Sequence, residues 1–189
     1  NKIIKYDKSD LKLIFENQIS DIKIKYKEKG IIILINEKDT LLVIASIVNL
    51  FNSNFYYCIT RDLDNTFERI SKIIKIENIS KLNNFYLLEI NKEIINEGLN
   101  FNGGFIFETS GTTGEPKYVI QSKENLLQTG KDICDICKLN KTVVETIYSP
   151  LGSAFFIGRI IALYLKKGTV ILNSDYKFIN FVQILSKYK

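Results

Sequence analysis

Thr109-Ser110-Gly111-Thr112-Thr113-Gly114-Glu115-Pro116-Lys117 stands between two short β-forming runs, Phe105-Ile106-Phe107 before it and Tyr118-Val119-Ile120 after it. Four hydroxyls, two glycines and one lysine fall within nine residues. Glycine lets the backbone approach a ligand closely and adopt positive φ. Successive backbone amides in such a segment can form a concave anion site. Hydroxyls add neutral donors to phosphate oxygens, and Lys117 adds a mobile positive charge. The combination is that of a phosphate cradle, although composition alone suits a polar surface loop equally well. The order excludes a Walker loop, because Glu115-Pro116 separates the second glycine from the lysine, and G-x-G-x-x-G is absent.

Working outward, apolar runs alternate with helical patterns. Ile31–Ile35 is a continuous apolar run between Gly30 and Asn36, as in a buried parallel strand. Asp39 or Thr40 can cap a helix through about Phe51. Phe55–Ile59 reads as a second strand. A helix capped by Asp64 or Asn65 would then place Phe67, Ile70, Ile73 and Ile74 on one face. Phe85–Ile90 is the next strand, and Tyr118–Ile120 is expected to pair beside Phe105–Phe107. Ser122 can cap a helix through about Lys138. Val143–Tyr148 (strand), Ala154–Leu165 (helix) and Thr169–Leu172 (strand) follow, with a last helix from about Tyr176. At the start, Leu11, Phe15 and Ile19 have helical spacing, whereas Ile22, Ile24 and Tyr26 alternate like a strand; a helix through about Ile19 is expected. Strands separated by helices of this length imply crossovers and a mostly parallel sheet. The expected fold is α/β, three-layer, with helices on both faces.

Composition narrows the chemistry. The 189 residues contain no His, which removes Ser-His-Asp and Cys-His nucleophiles, His bases and His metal ligands. The net charge of +5 is spread along the chain, with no dense basic block of the kind nucleic-acid binding needs. Three cysteines provide no disulfide framework and point to a reducing cytoplasm. No apolar stretch is long enough to span a bilayer, and Arg159 interrupts the longest.

The nine residues Thr109–Lys117 match T-S-G-T-T-G-x-P-K, which resembles the phosphate-binding loop of the adenylate-forming (AMP-binding) superfamily: acyl-CoA synthetases, luciferases and the adenylation domains of peptide synthetases. The resemblance extends to Ile31–Asn36 and its helix, to Phe55–Ile59, and to Lys123-Glu124-Asn125-Leu126-Leu127 at the family's "H-x-N-L" helix start. Ser149-Pro150-Leu151-Gly152-Ser153 is similar to its "x-P-L-F-H" turn, and Leu165–Val170 to its "L-x-x-G-x-x" entry to a strand.

That resemblance implies the N-terminal part of the large domain of an enzyme that uses ATP to activate a carboxylic acid as an acyl-adenylate. A thiol, of CoA or of a carrier protein, would then accept the acyl group. It implies that Thr109, Ser110, Gly111, Thr112, Thr113 and Gly114 wrap the β- and γ-phosphates. Lys117, the implied catalytic residue, would neutralise charge as pyrophosphate leaves. Mg²⁺ would be held largely by the phosphates, with no protein metal ligand assigned. Three positions depart from the pattern: Tyr118 stands where the family usually has Gly, and Lys123 and Ser153 where it usually has His. Ser153 lies where family members approach the acyl group.

Further features have two readings each. Cys134-Asp135-Ile136-Cys137 is a C-x-x-C pair, but with Leu126, Gly130 and Ile133 it shares one helix face, which favours core packing over a metal or redox site. Arg159 suits a buried ion pair or a snorkelling side chain more than a ligand. Phe155 and Phe156 could line an acyl pocket or belong to the core.

The family's Y-G-x-T-E motif, ribose Asp, hinge and C-terminal Lys are not found. Residues 1–189 are therefore expected to be a partial N-terminal AMP-binding domain, without its remainder or the small lid domain. The alternatives are a non-catalytic nucleotide-binding module or an inactive fragment. On this reading the isolated 189-residue polypeptide gives no acid-dependent pyrophosphate release with Mg·ATP and a panel of carboxylic acids. Lost positioning alone removes about 7–11 kcal/mol of barrier lowering, and clear turnover in a pyrophosphate-release assay would refute it.

Overall fold

The computed structural model describes residues 10, 17, 30–82, 84–90, 102–109, 116–171, 182 and 186. Asp10 and Asn17 are helical, as are Val182 and Ser186. The rest of the expected first and last helices, the alternation at Ile22–Tyr26 and the connector Asn91–Asn100 lie outside the described residues.

Strand β1 (Gly30–Asn36) has no water-facing side: Ile31, Ile33 and Ile35 enter one core, Ile32 and Leu34 the other. Side chains alternate across a strand, so an unbroken apolar run demands cover on both faces. Helix α1 (Thr40–Asn49) follows, capped by Asp39, whose carboxylate accepts from Leu42 N at 3.0 Å. A 3₁₀ turn at Leu50–Asn52 leads to β2 (Tyr56–Thr60), parallel to β1.

Helix α2 (Leu63–Ile73) is capped by Asp62 rather than by the expected Asp64 or Asn65. Asp62 is extended and accepts from Asn65 N at 3.1 Å. Asp64 thereby falls in the first turn, where its carboxylate accepts from the Tyr86 hydroxyl at 2.6 Å. The buried positions are Leu63, Thr66 and Ile70. Ile73, expected on that inner face, is 68% exposed, because the helix ends there and Ile74 turns into extended backbone.

A further strand, β3 (Ile76–Lys81), was not expected from the pattern. It is a sheet edge whose residues are half-buried or exposed, so it carries no apolar alternation strong enough to read. It forms a short hairpin with β4 (Phe85–Ile90), closed by Leu82 N donating to Phe85 O at 3.0 Å. β4 is consequently antiparallel both to β3 and to β1. β5 (Gly104–Thr109) is parallel to β2, and β6 (Lys117–Ser122) antiparallel to β5.

The six-stranded order is β3-β4-β1-β2-β5-β6. β1, β2, β5 and β3 point one way and β4 and β6 the other, so the sheet is mostly parallel in direction, with antiparallel ladders around β4 and at β6. One face packs on α1, α3 (Lys123–Ile136) and α4 (Ala154–Lys166); the other packs on Leu63 and Ile70 of α2. This is the expected three-layer α/β arrangement. β7 (Val144–Thr146) and β8 (Thr169–Ile171) form a separate parallel pair joined through α4.

Helices α3 and α4 meet closely. Cys134 is buried and its thiol lies 3.4 Å from the Ala162 carbonyl. Cys137, expected in the core, is exposed, because α3 ends at Ile136 and its apolar face leaves the interface there. Its sulfur accepts from Arg159 Nη1 at 3.1 Å. Arg159 forms the expected ion pair, bidentate with Glu145 and 2.7 Å from Nε to Oε1. Among the described residues no cluster of His, Cys, Asp or Glu could hold a metal, and no helix is long and apolar enough to cross a membrane.

Gly130 is the tightest point between these helices: a Cβ there would lie 2.5 Å from Ile161 Cγ2. Alanine would gain about 1 kcal/mol of helix propensity and lose about 1–3 kcal/mol to overpacking. Gly130→Ala is expected to destabilise the fold by about 1 kcal/mol net in urea unfolding; a stabilised variant would show that the helices can separate without cost.

Candidate active site at the C-terminal edge of the sheet

Thr109 and Lys117 are the last pair of the β5–β6 ladder, and the Thr109 hydroxyl donates to the Lys117 carbonyl at 3.1 Å. Both are exposed. The strands thus run further than Phe105–Phe107 and Tyr118–Ile120, and the two ends of the motif are strand residues. Ser110, Gly111, Thr112, Thr113 and Gly114 lie outside the described residues. The Thr109 proton is engaged on backbone, so its oxygen is better placed to accept than to donate.

Asn36, Thr60 and Thr109 end the three adjacent parallel strands on one edge of the sheet. In open α/β sheets this edge is where ligand crevices form. The Ser149–Ser153 turn reaches the same edge. A Cβ on Gly152 would come within 2.8 Å of the Ile59 carbonyl, so only glycine lets this turn sit on the end of β2. Ser153 caps α4, accepting from Phe156 N at 3.1 Å. Phe156 is fully buried in the core, whereas Phe155 is 63% exposed. The two readings of that pair therefore divide: Phe156 is core, and Phe155 stays accessible.

Lys123 is placed elsewhere. Its Nζ donates to the Ser53 carbonyl at 3.2 Å and its backbone N–H to Gly103 O at 3.0 Å. Gly103 precedes β5, so Lys123 is about 20 Å, the length of a six-residue strand, from Thr109. Its departure from the family pattern does not reach the motif.

Glu108 and Arg69, not singled out from the sequence, flank it closely together with Tyr118, noted there only as a departure from the family pattern. Glu108 and Tyr118 are cross-strand partners one step inside the Thr109–Lys117 pair. Glu108 Oε1 accepts from Arg69 Nη1 of α2 at 2.9 Å. The buried Tyr118 hydroxyl lies beside the same guanidinium without meeting hydrogen-bond geometry. Burial and Glu108 push the Tyr118 pKa up, and Arg69 pulls it down. The one signal in the sequence is a carboxylate at the strand end, two residues past the buried Ile106.

The sequence matches no protein-family model and no curated protein sequence. The fold matches solved structures of O-succinylbenzoate coenzyme A synthetase (MenE) from Bacillus subtilis. Against its complex with ATP and magnesium ion the TM-score is 0.59 at 12% identity, over 95% of this chain and 54% of that one. Against its complex with the acyl-adenylate intermediate the TM-score is 0.62 at 15% identity, over 95% and 53%. Against its AMP complex the TM-score is 0.61 at 14% identity, over 95% and 52%. The likeness is one of fold, and the chain spans about half the length of these structures.

Packing beneath the site can be tested through its thiols. Burial, with Glu108 adding, pushes the Cys58 thiol up to about 12. The thiolate is the reactive species, so at pH 8 native Cys58 is expected to resist iodoacetamide while exposed Cys137 is alkylated. Reactivity at Cys58 should rise only as pH climbs toward its raised pKa or the protein unfolds. Peptide mass spectrometry measures this, and equal labelling of both thiols in the native protein would contradict the packing of β2 under α2.

Proposed function

We propose that this chain is the N-terminal part of the large, AMP-binding domain of an AMP-forming acid ligase of the adenylate-forming superfamily. The remainder of that domain and a lid domain would belong to the same longer protein. One observation carries the reading. A nine-residue phosphate-loop motif is rooted, through Thr109 and Lys117, at the C-terminal edge of a sheet whose fold is found in an acyl-CoA synthetase.

In this reading Ser110, Gly111, Thr112, Thr113 and Gly114 hold the β- and γ-phosphates of ATP, and Thr109, its hydroxyl donated to the Lys117 carbonyl, fixes the root of that loop. A carboxylate oxygen of the acid attacks the α-phosphorus, and the bond to the bridging oxygen breaks as pyrophosphate departs with its electron pair. Lys117, exposed at the root of β6, stabilises the charge that grows on that leaving group. Mg²⁺ would be held mainly through phosphate oxygens, with no protein ligand assigned. When bound, the ion would screen phosphate charge. Thiol sulfur of CoA or of a carrier protein would next attack the acyl carbonyl and displace AMP. We place this activity in the cytoplasm.

The test is acid-dependent ATP–pyrophosphate exchange by the protein that carries this segment. Lys117→Ala is expected to lower the exchange rate by roughly 10²–10³ with a smaller change in KM for ATP. Mg·ATP binding without exchange on any acid would make the protein a non-catalytic nucleotide-binding module. Unchanged exchange in the variant would remove Lys117 from the chemistry.

A further inference from the structure

The two-residue period of a strand separates two pairs at the end of the β5–β6 ladder. Thr109 and Lys117 belong to the face that carries Phe105 and Phe107. Glu108 and Tyr118 belong to the opposite face, with Ile106, under α2. Arg69 extends from α2 to this second pair, bonded to Glu108 and lying beside the Tyr118 phenol, whose ring packs on the second core. One guanidinium thus stands against both strands, one residue short of the place where the motif leaves them.

A half-exposed ion pair adds little to global stability; the Arg69 and Glu108 side chains are 43% and 25% exposed. Its effect is therefore local. Among the described residues β6 is an edge strand, paired only with β5. Ladder ends open most readily where few buried contacts hold them. Tyr118 supplies such a contact on β6, and the Glu108–Arg69 bond ties β5 to α2.

We propose that Arg69 is a positioning residue for the phosphates of the nucleotide: by holding Glu108, with the Tyr118 phenol packed beside it, it fixes the ladder end from which Thr109 and Lys117 serve the site. This rests on the ligase reading above. It assigns to Tyr118, where the superfamily usually has glycine, the role of a prop between β6 and α2.

Two measurements on the protein carrying this segment test it. In hydrogen–deuterium exchange, Arg69→Ala is expected to speed exchange at residues 106–109 and 117–120 about tenfold and to leave 30–36 and 56–60 unchanged. In pyrophosphate exchange, the same variant is expected to raise KM for ATP about tenfold, with a smaller loss in kcat. The double variant Arg69→Glu, Glu108→Arg is expected to recover most of both. A lowered melting temperature with unchanged KM would leave Arg69 a structural residue and overturn the proposal, as would unchanged amide exchange. A wild-type protein without acid-dependent exchange would sink the ligase reading alone, and the amide-exchange comparison would still decide whether Arg69 holds the ladder end.

Discussion

Burial of β1 on both faces is the constraint from which the architecture follows. None of the five apolar side chains of Ile31–Ile35 meets water. Each full burial of such a side chain contributes about 1.5–3 kcal/mol, but only if the sheet has a layer of helices above and another below. α1 and α4 supply the first layer and α2 the second. A strand so enclosed cannot be an edge, so β2 and β4 must pair with it on either side. The parallel run β1-β2-β5 then carries the C-terminal strand ends to one rim. The Thr109–Lys117 motif stands there because β5 is in that run.

The Ser149–Ser153 turn arrives at the rim by a different route. It belongs to the connection from the small β7–β8 pair into α4, and α4 packs on the same core as α1. The bidentate Arg159–Glu145 pair ties that helix to β7. Removing one partner of such a shielded pair costs more than the pair contributes, because a charge is left buried. Arg159 is thus explained as the joint between the second sheet and the main body.

Legibility in the sequence tracked how local each cause was. Ile31–Ile35 was readable because both faces of the strand are apolar, and Phe85–Ile90 because only Glu89 interrupts its apolar run. The caps Asp39 and Ser122 act within three residues of themselves. β3 was not readable, since an edge strand such as Ile-Glu-Asn-Ile-Ser-Lys needs β4 beside it before its pattern means anything. Asp62 displaced Asp64 as the cap because Tyr86, 22 residues away, engages Asp64 instead. Cys137 lies on the right helical face but one residue past the helix end. At the site, the order of the nine motif residues was legible without any structure. The Arg69–Glu108 contact spans 39 residues and two elements, and no periodicity in either element announces it.

Lys123 and Ser153, which stand where the superfamily that the motif resembles usually carries histidine, have structural roles of different kinds. Lys123 donates to the Ser53 carbonyl at the far end of β5, so its charge joins the 53–54 turn to the start of α3. Ser153 sits at the rim, but one lone pair of its hydroxyl is committed to Phe156 N. That hydroxyl still has a proton to donate, yet it titrates far from neutrality and lacks an imidazole's capacity to exchange protons there. Beside it Phe155 is the accessible large apolar side chain of the first turn of α4. A carboxylic acid bound at this rim would therefore meet a neutral hydroxyl and an aromatic ring at its acyl end. On the proposed reading, the charged groups Lys117 and Arg69 would lie on the phosphate side. That division suits a reaction in which charge develops on departing pyrophosphate rather than on the acyl chain, since fixed positive charge is most effective where negative charge grows.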